Sequence, residues 1–147
     1  IAAIKITVHF NETTSFVLPI VIYAIFGIFQ ETDSTSGKDS SLFFQAGAER
    51  VFYIQTTDEY LKEAFNRISE KLVEDQPVII ESAALRKILK PDVYLFIQKK
   101  FEAIKPSAVE MQKLADTIVY SDSGQFSIDP ASITFDQTWK IKVDDFS

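Results

Sequence analysis

Cysteine is absent from the 147 residues, which excludes disulfides and thiolate-bound metals. The absence fits a reducing compartment, and the expectation is a cytoplasmic protein. Histidine occurs once, as His9, so no multi-histidine metal site is available, and a single histidine gives no basis for arguing a Ser/His/Asp arrangement. No basic run exists: 15 Lys and Arg stand against 21 Asp and Glu, a net charge of −6. A nucleic-acid partner is therefore not expected. No long hydrophobic run exists either. Phe16 to Phe29 is apolar apart from Tyr23, but a membrane-spanning helix needs roughly 20 such residues. No membrane segment is expected, and no secretory leader is evident. The chain begins with Ile rather than Met, which leaves a longer protein open.

What is present is an ordinary globular composition, 46% hydrophobic and 24% charged, with 13 phenylalanines. The length suits one domain, residues 1–147, with a sizeable core. Ile4 to Phe10 reads as a first strand. Phe16 to Phe26 reads as a buried helix with Pro19 in its first turn, although Val21 and Ile22 favour a strand as well. Glu31 to Asp39 is polar, rich in Ser and Thr, and reads as a loop. Asp39 is expected to cap a short helix, Ser40 to Ala46. Gly47 then ends that helix in a left-handed turn into the strand Val51 to Gln55.

Thr56-Thr57-Asp58-Glu59 has the form of a capping box. The helix after it places Leu61, Phe65, Ile68 and Leu72 on one face. Val78 to Ile80 and Val93 to Ile97 are continuous apolar runs, as expected of two central strands of a parallel sheet covered on both faces. Pro106 opens another helix, and Thr117 to Tyr120 is a last parallel strand. Strands alternating with helices predict a three-layer α/β sandwich with a mostly parallel sheet.

Glu81 ends the first of the two central runs. The carboxyl ends of strands in open α/β sheets are where ligands bind, so Glu81 is a candidate site residue. The competing reading is a carboxylate that caps the following turn. Gly37-Lys38-Asp39-Ser40, then Ala46-Gly47-Ala48, then Val78-Ile79-Ile80-Glu81, resemble the corresponding segments of the molybdopterin-guanine dinucleotide biosynthesis B (MobB) family. Ala115 to Tyr120, with Gly124, Phe126 and Asp129, is similar to that family's closing strand and turn. The resemblance runs from about Lys5 to Phe135.

It implies a P-loop NTPase-like fold that binds GTP or another nucleotide with Mg²⁺. It also implies a homodimer, at most slow GTP hydrolysis, and a partner in molybdenum cofactor biosynthesis. Thr13, Thr14, Lys38 and Asp39 would then contact the nucleotide, and Glu81 would hold the metal. For Lys38 and Asp39 the plainer alternative is a solvated lysine beside a helix cap.

One departure from the family is pronounced. A P-loop needs G-x-x-x-x-G-K-S/T after the first strand, so that backbone N–H groups and a lysine surround the phosphates. Here that strand runs into HFNETTSF, with no glycine and no lysine, and Glu12 stands in the lysine's place. Two like charges about 4 Å apart repel by about 4 kcal/mol at an effective dielectric near 20. Ser82 and Ala83 also replace the glycine and aromatic that follow the family's acidic residue. Two main functions remain open, with a P-loop kinase-like enzyme acting on a small metabolite as a third, lower-ranked reading. One is a nucleotide-binding accessory protein, which requires that further residues, a glycine-rich loop with a lysine, be encoded between Phe10 and Thr13. The other is a degenerate homologue that keeps the sheet as a protein-interaction scaffold.

Overall fold

The computed structural model of the chain describes residues 1–8, 17–22 and 25–142. Two compact units result, Ile1–Ile88 and Leu89–Ser147.

The first unit is built on a five-stranded sheet. Its strands are β1 (Ala2–Thr7), β2 (Val17–Ile22), β3 (Gly27–Glu31), β4 (Arg50–Gln55) and β5 (Val78–Ser82), in the order β2-β3-β4-β1-β5. Strand β1 runs parallel to both β4 and β5, whereas β3 is antiparallel to β4 and to β2. A parallel connection needs a crossover, and helix α2 (Leu61–Ser69) supplies it between β4 and β5. The short helix α1 (Asp39–Gln45) packs on β4 and β1. Ile4, Ile6, Phe26, Ile28, Val51, Phe52 and Ile54 fill the core with Leu61, Ala64 and Ile68 of α2. The Arg50 guanidinium sits over the Phe52 ring at 4.9 Å and donates to the Lys71 carbonyl at 2.9 Å.

The second unit has a three-stranded sheet and a hairpin. Strands β6 (Leu95–Lys99) and β7 (Thr117–Asp122) are parallel, and β8 (Gln125–Phe126) returns antiparallel to β7. The crossover from β6 to β7 carries a 3₁₀ turn, Pro106–Ala108, and helix α3 (Val109–Lys113). Ser123 and Gly124 both have positive φ, at 50° and 84°, which is the tight-hairpin geometry matching strand twist. Strands β9 (Ile133–Asp136) and β10 (Thr138–Ile141) form the separate hairpin, turning at Gln137. Phe135 meets Trp139 edge-on across it at 5.3 Å.

This architecture overturns the expected three-layer, mostly parallel P-loop NTPase-like sandwich. The strands form several small sheets, and four of the seven pairings among the described residues are antiparallel. The main cause lies at Val17–Ile22. Within the expected helix over Phe16 to Phe26, Val17–Ile22 is strand β2, at the sheet edge against β3. A β-branched run favours that state, and Pro19 is tolerated on an edge strand, where the register shifts between Pro19 and Val21.

Strand β5 is not central. It ends the sheet, its burial alternates, and Ile79 is 42% exposed. Strand β6 pairs with β7 in the other sheet. The capping expectations fail as well. Lys38, not Asp39, is the N-cap of α1, and α2 starts after Tyr60 with no side-chain cap. Gly47 is left-handed as expected, at φ 97°. Asp129 caps the 3₁₀ turn at Pro130–Ser132, accepting from the Ala131 N–H at 2.9 Å.

Phe52 is fully buried in the first unit's core. Phe52→Ala is expected to lower the unfolding free energy by about 3–5 kcal/mol, read from urea denaturation. A loss under about 1 kcal/mol would contradict this packing.

Candidate functional site

Alternation along β1 turns Ile4 and Ile6 into the core and puts Lys5 and Thr7 on the other face. The register then sets Lys5 between Tyr53 on β4 and Glu81 on β5, with Phe29 beyond Tyr53. Phe29 and Tyr53 pair with tilted rings, centroids 6.3 Å apart, so the row grades from aromatic to charged across the sheet.

An ammonium in the middle of a strand paired on both edges needs anions within reach. Lys5 Nζ finds two. It donates to Glu81 Oε1 and, at 2.8 Å, to Asp39 Oδ2 at the start of α1. The lysine side chain is only 20% exposed, whereas the carboxylates are 60% exposed at Asp39 and 50% at Glu81. Burial by itself would lower the Lys5 pKa. Hydrogen bonds and charge from Asp39 and Glu81 outweigh it, and the net displacement is upward from 10.5. Lys5 is therefore a cation at physiological pH and not a nucleophile or general base.

Asp39 is held there by the segment before it. Glu31, 3% exposed at the end of β3, accepts from the Thr32 and Asp33 N–H groups at 3.0 Å and from Ser40 Oγ at 2.5 Å. Asp33 accepts in turn from the Thr35 N–H and hydroxyl at 2.7 Å. The Gln45 amide donates to the Ser34 carbonyl at 2.7 Å. This polar segment is fastened at both ends.

A cleft of about 220 Å³ adjoins the pair at the carboxyl ends of β1 and β5, lined by Lys5 to Val8 and Glu81 to Ala83. Small-molecule pockets are typically about 300–1,000 Å³. The cleft thus suits an ion with a phosphate group better than a whole nucleoside. Lys5, Asp39 and Glu81 together carry +1 − 2 = −1, so a free anion is repelled and a cation attracted.

The chemistry of the donors fits Mg²⁺. That ion takes one or two carboxylates, keeps several waters and shares its shell with phosphate oxygens. The two carboxylates already hold one cation, the Lys5 ammonium. No group of three or more His, Cys, Asp or Glu side chains suited to a metal occurs among the described residues, so no all-protein cage is at hand.

Of the residues expected at a site, Asp39 and Glu81 come together. Lys38 does not join them: its side chain is exposed, and its carbonyl accepts from the Leu42 N–H and Ser41 Oγ. Thr13, Thr14 and His9 lie outside the described residues. Glu81 does not cap the turn after β5. Ser82 Oγ does, accepting from Ala84 N–H at 3.2 Å and Leu85 N–H at 3.0 Å. Lys5 is the member that sequence reasoning missed. Its one signal is a charge inside an otherwise apolar strand.

No helix among the described residues is long and apolar enough to cross a membrane. No protein-family profile, curated protein or solved structure matches the chain.

The raised Lys5 pKa has a definite sign. Its contribution to stability is complete below the unfolded value near 10.5 and is lost as pH rises through the higher folded value. Lys5→Met should cost about 1 kcal/mol at neutral pH, and the gap to the parent protein should close in alkali above pH 10.5. Thermal melts across that range check it, and a gap that widens would contradict the pairing. Glu31→Ala strands a buried hydroxyl and two N–H groups, and should cost at least about 2 kcal/mol in chemical denaturation.

Proposed function

We propose that the protein binds a magnesium–nucleotide complex, GTP or a related nucleotide, as an accessory protein of molybdenum cofactor assembly. One observation carries the binding part. Two carboxylates from separate elements, Asp39 and Glu81, converge on one cation beside a cleft at the carboxyl ends of parallel strands. Mg²⁺ bound there would draw in the phosphates, which the carboxylates alone repel. The cofactor-assembly part rests on the Gly37–Ser40, Ala46–Ala48 and Val78–Glu81 resemblance. This reading does not depend on a P-loop architecture. It assigns binding first and, at most, slow hydrolysis, because Lys5 is protonated and both carboxylates of the cluster are engaged by it.

A second reading, an interaction scaffold, is favoured by a different observation. Phe101 is 91% exposed and sits at φ 68°, a backbone region costly for a bulky residue. Lys100 lies over its ring at 5.1 Å. Ile97 nearby in the chain is 61% exposed. An aromatic presented in this way serves contact with a partner, including a second copy of the chain.

Titration calorimetry with GTP and Mg²⁺ tests the first reading. Binding is expected for the parent protein and its loss for Glu81→Gln. No heat at millimolar nucleotide would sink the first reading. A strict monomer by light scattering, unchanged in Phe101→Ser, would count against the second.

A further inference from the structure

Strand β6 ends the three-stranded sheet of the second unit, and among the described residues it is paired with β7 alone. Its hydrogen bonds show which residues face the open side. The Tyr94 carbonyl accepts from the Asp116 N–H at 2.9 Å, and the Lys100 N–H donates to the Ser121 carbonyl at 2.9 Å. Backbone groups alternate sides along a strand, so the even-numbered residues bond β7. Leu95, Ile97 and Lys99 therefore present their N–H and C=O groups at the open edge. Such an edge is a template for another strand. Ile97 on it is 61% exposed.

We propose that β6 pairs antiparallel with β6 of a second copy of the chain across a two-fold axis, joining two sheets into one. The inference rests on the scaffold reading and names its partner.

Charge selects both the occupant and the register. Outward-facing residues must meet outward-facing residues, which restricts how two copies of β6 can align. Setting Leu95 opposite itself brings Lys100 towards the second copy's Lys90. Setting Ile97 opposite itself brings Glu102 towards the second copy's Asp92. Each of these puts like charges together, and the two-fold repeats the fault. The alignment between them sets Leu95 opposite the second copy's Ile97 and Phe96 opposite its own counterpart. Lys100 then meets the second copy's Asp92, and the reciprocal pair follows from the symmetry. Lys99 meets Val93 rather than another lysine. The strand thus carries, at its two ends, the charges that a second copy of itself complements.

Asp92 and Lys100 are both exposed. Asp92 also accepts from the Trp139 N–H at 3.1 Å, and Lys100 stands 3.9 Å from Asp122, so each is steadied at its end of the strand. The same alignment covers apolar surface. Ile97 lies beside the second copy's Leu95 on one sheet face. Phe101, the residue after Lys100, comes up to the second copy's Pro91. The exposed aromatic held at φ 68° thereby gains a contact.

Sedimentation equilibrium of the full chain tests the pairing. The parent should be dimeric at tens of micromolar. Asp92→Lys and Lys100→Asp should each weaken the dimer at least about tenfold, because one exchange turns two attractive contacts into two repulsive ones. Mixed together, the two variants should associate about as tightly as the parent does with itself, since every contact in the mixed pair again joins opposite charges.

The chain has no cysteine, which makes cross-linking a clean second measurement. Phe96 faces its own counterpart in a pair whose Cα atoms lie about 4.5 Å apart, within disulfide reach. Phe96→Cys should oxidise to a covalent dimer, and Ile97→Cys, offset from its counterpart, should do so far more slowly. Where circular dichroism shows a charge variant unfolded, the two cysteine variants are read in its place. A strictly monomeric parent, or faster cross-linking at Ile97 than at Phe96, overturns the inference. So does a dimer that neither charge reversal weakens; if that dimer dissociates in Phe101→Ser, the scaffold reading stands without it.

Discussion

Strand β1 is paired on both edges, and that constraint organises the first unit. Its backbone N–H and C=O groups are taken up by β4 on one side and β5 on the other. Its alternate side chains Ile4 and Ile6 are buried in the core. A lysine placed between them cannot move to a strand edge or unpair the ladder to reach water. Anions must be brought to it. Glu81 arrives by register, as the β5 residue opposite Lys5. Asp39 arrives by the position of α1, which depends on Glu31 fastening the turn after β3 and reaching Ser40. A substitution at Glu31 therefore acts on the site without touching it.

The parts of this arrangement differ in how far they could be read from the chain. Val78 to Glu81 was legible as a strand that ends in an acid at the ligand edge of a sheet. Its place at the end of the sheet was not, because three consecutive apolar residues look alike whether one or both faces are covered. Ile79, 42% exposed, carries the information only once neighbours are known. Val17–Ile22 failed for a related reason. An apolar run has no period to separate buried helix from strand, and what decides it is pairing with β3, a contact that local propensity does not encode.

Thr56 to Glu59 matched a capping pattern, yet Asp58 pairs with Lys87 at 3.0 Å and the helix starts later. Short polar motifs compete with tertiary partners, and here the partner took the side chain. Asp39 is the same case: a good capping residue was drawn off by a lysine 34 positions away in the chain. Lys5 itself was visible only as an exception to its surroundings. Such an exception in a doubly paired strand is stronger evidence for a site than any one of the acidic residues, because burying it demands compensation.

The two functional readings do not compete for the same surface. The charged cluster and its cleft belong wholly to the first unit, with Lys5, Asp39 and Glu81 all before Ile88. Phe101 and Ile97, the residues whose exposure favours a partner, belong wholly to the second. The raised pKa of Lys5 bears on the charged cluster alone. A lysine kept protonated by two carboxylates is poor equipment for covalent or base catalysis.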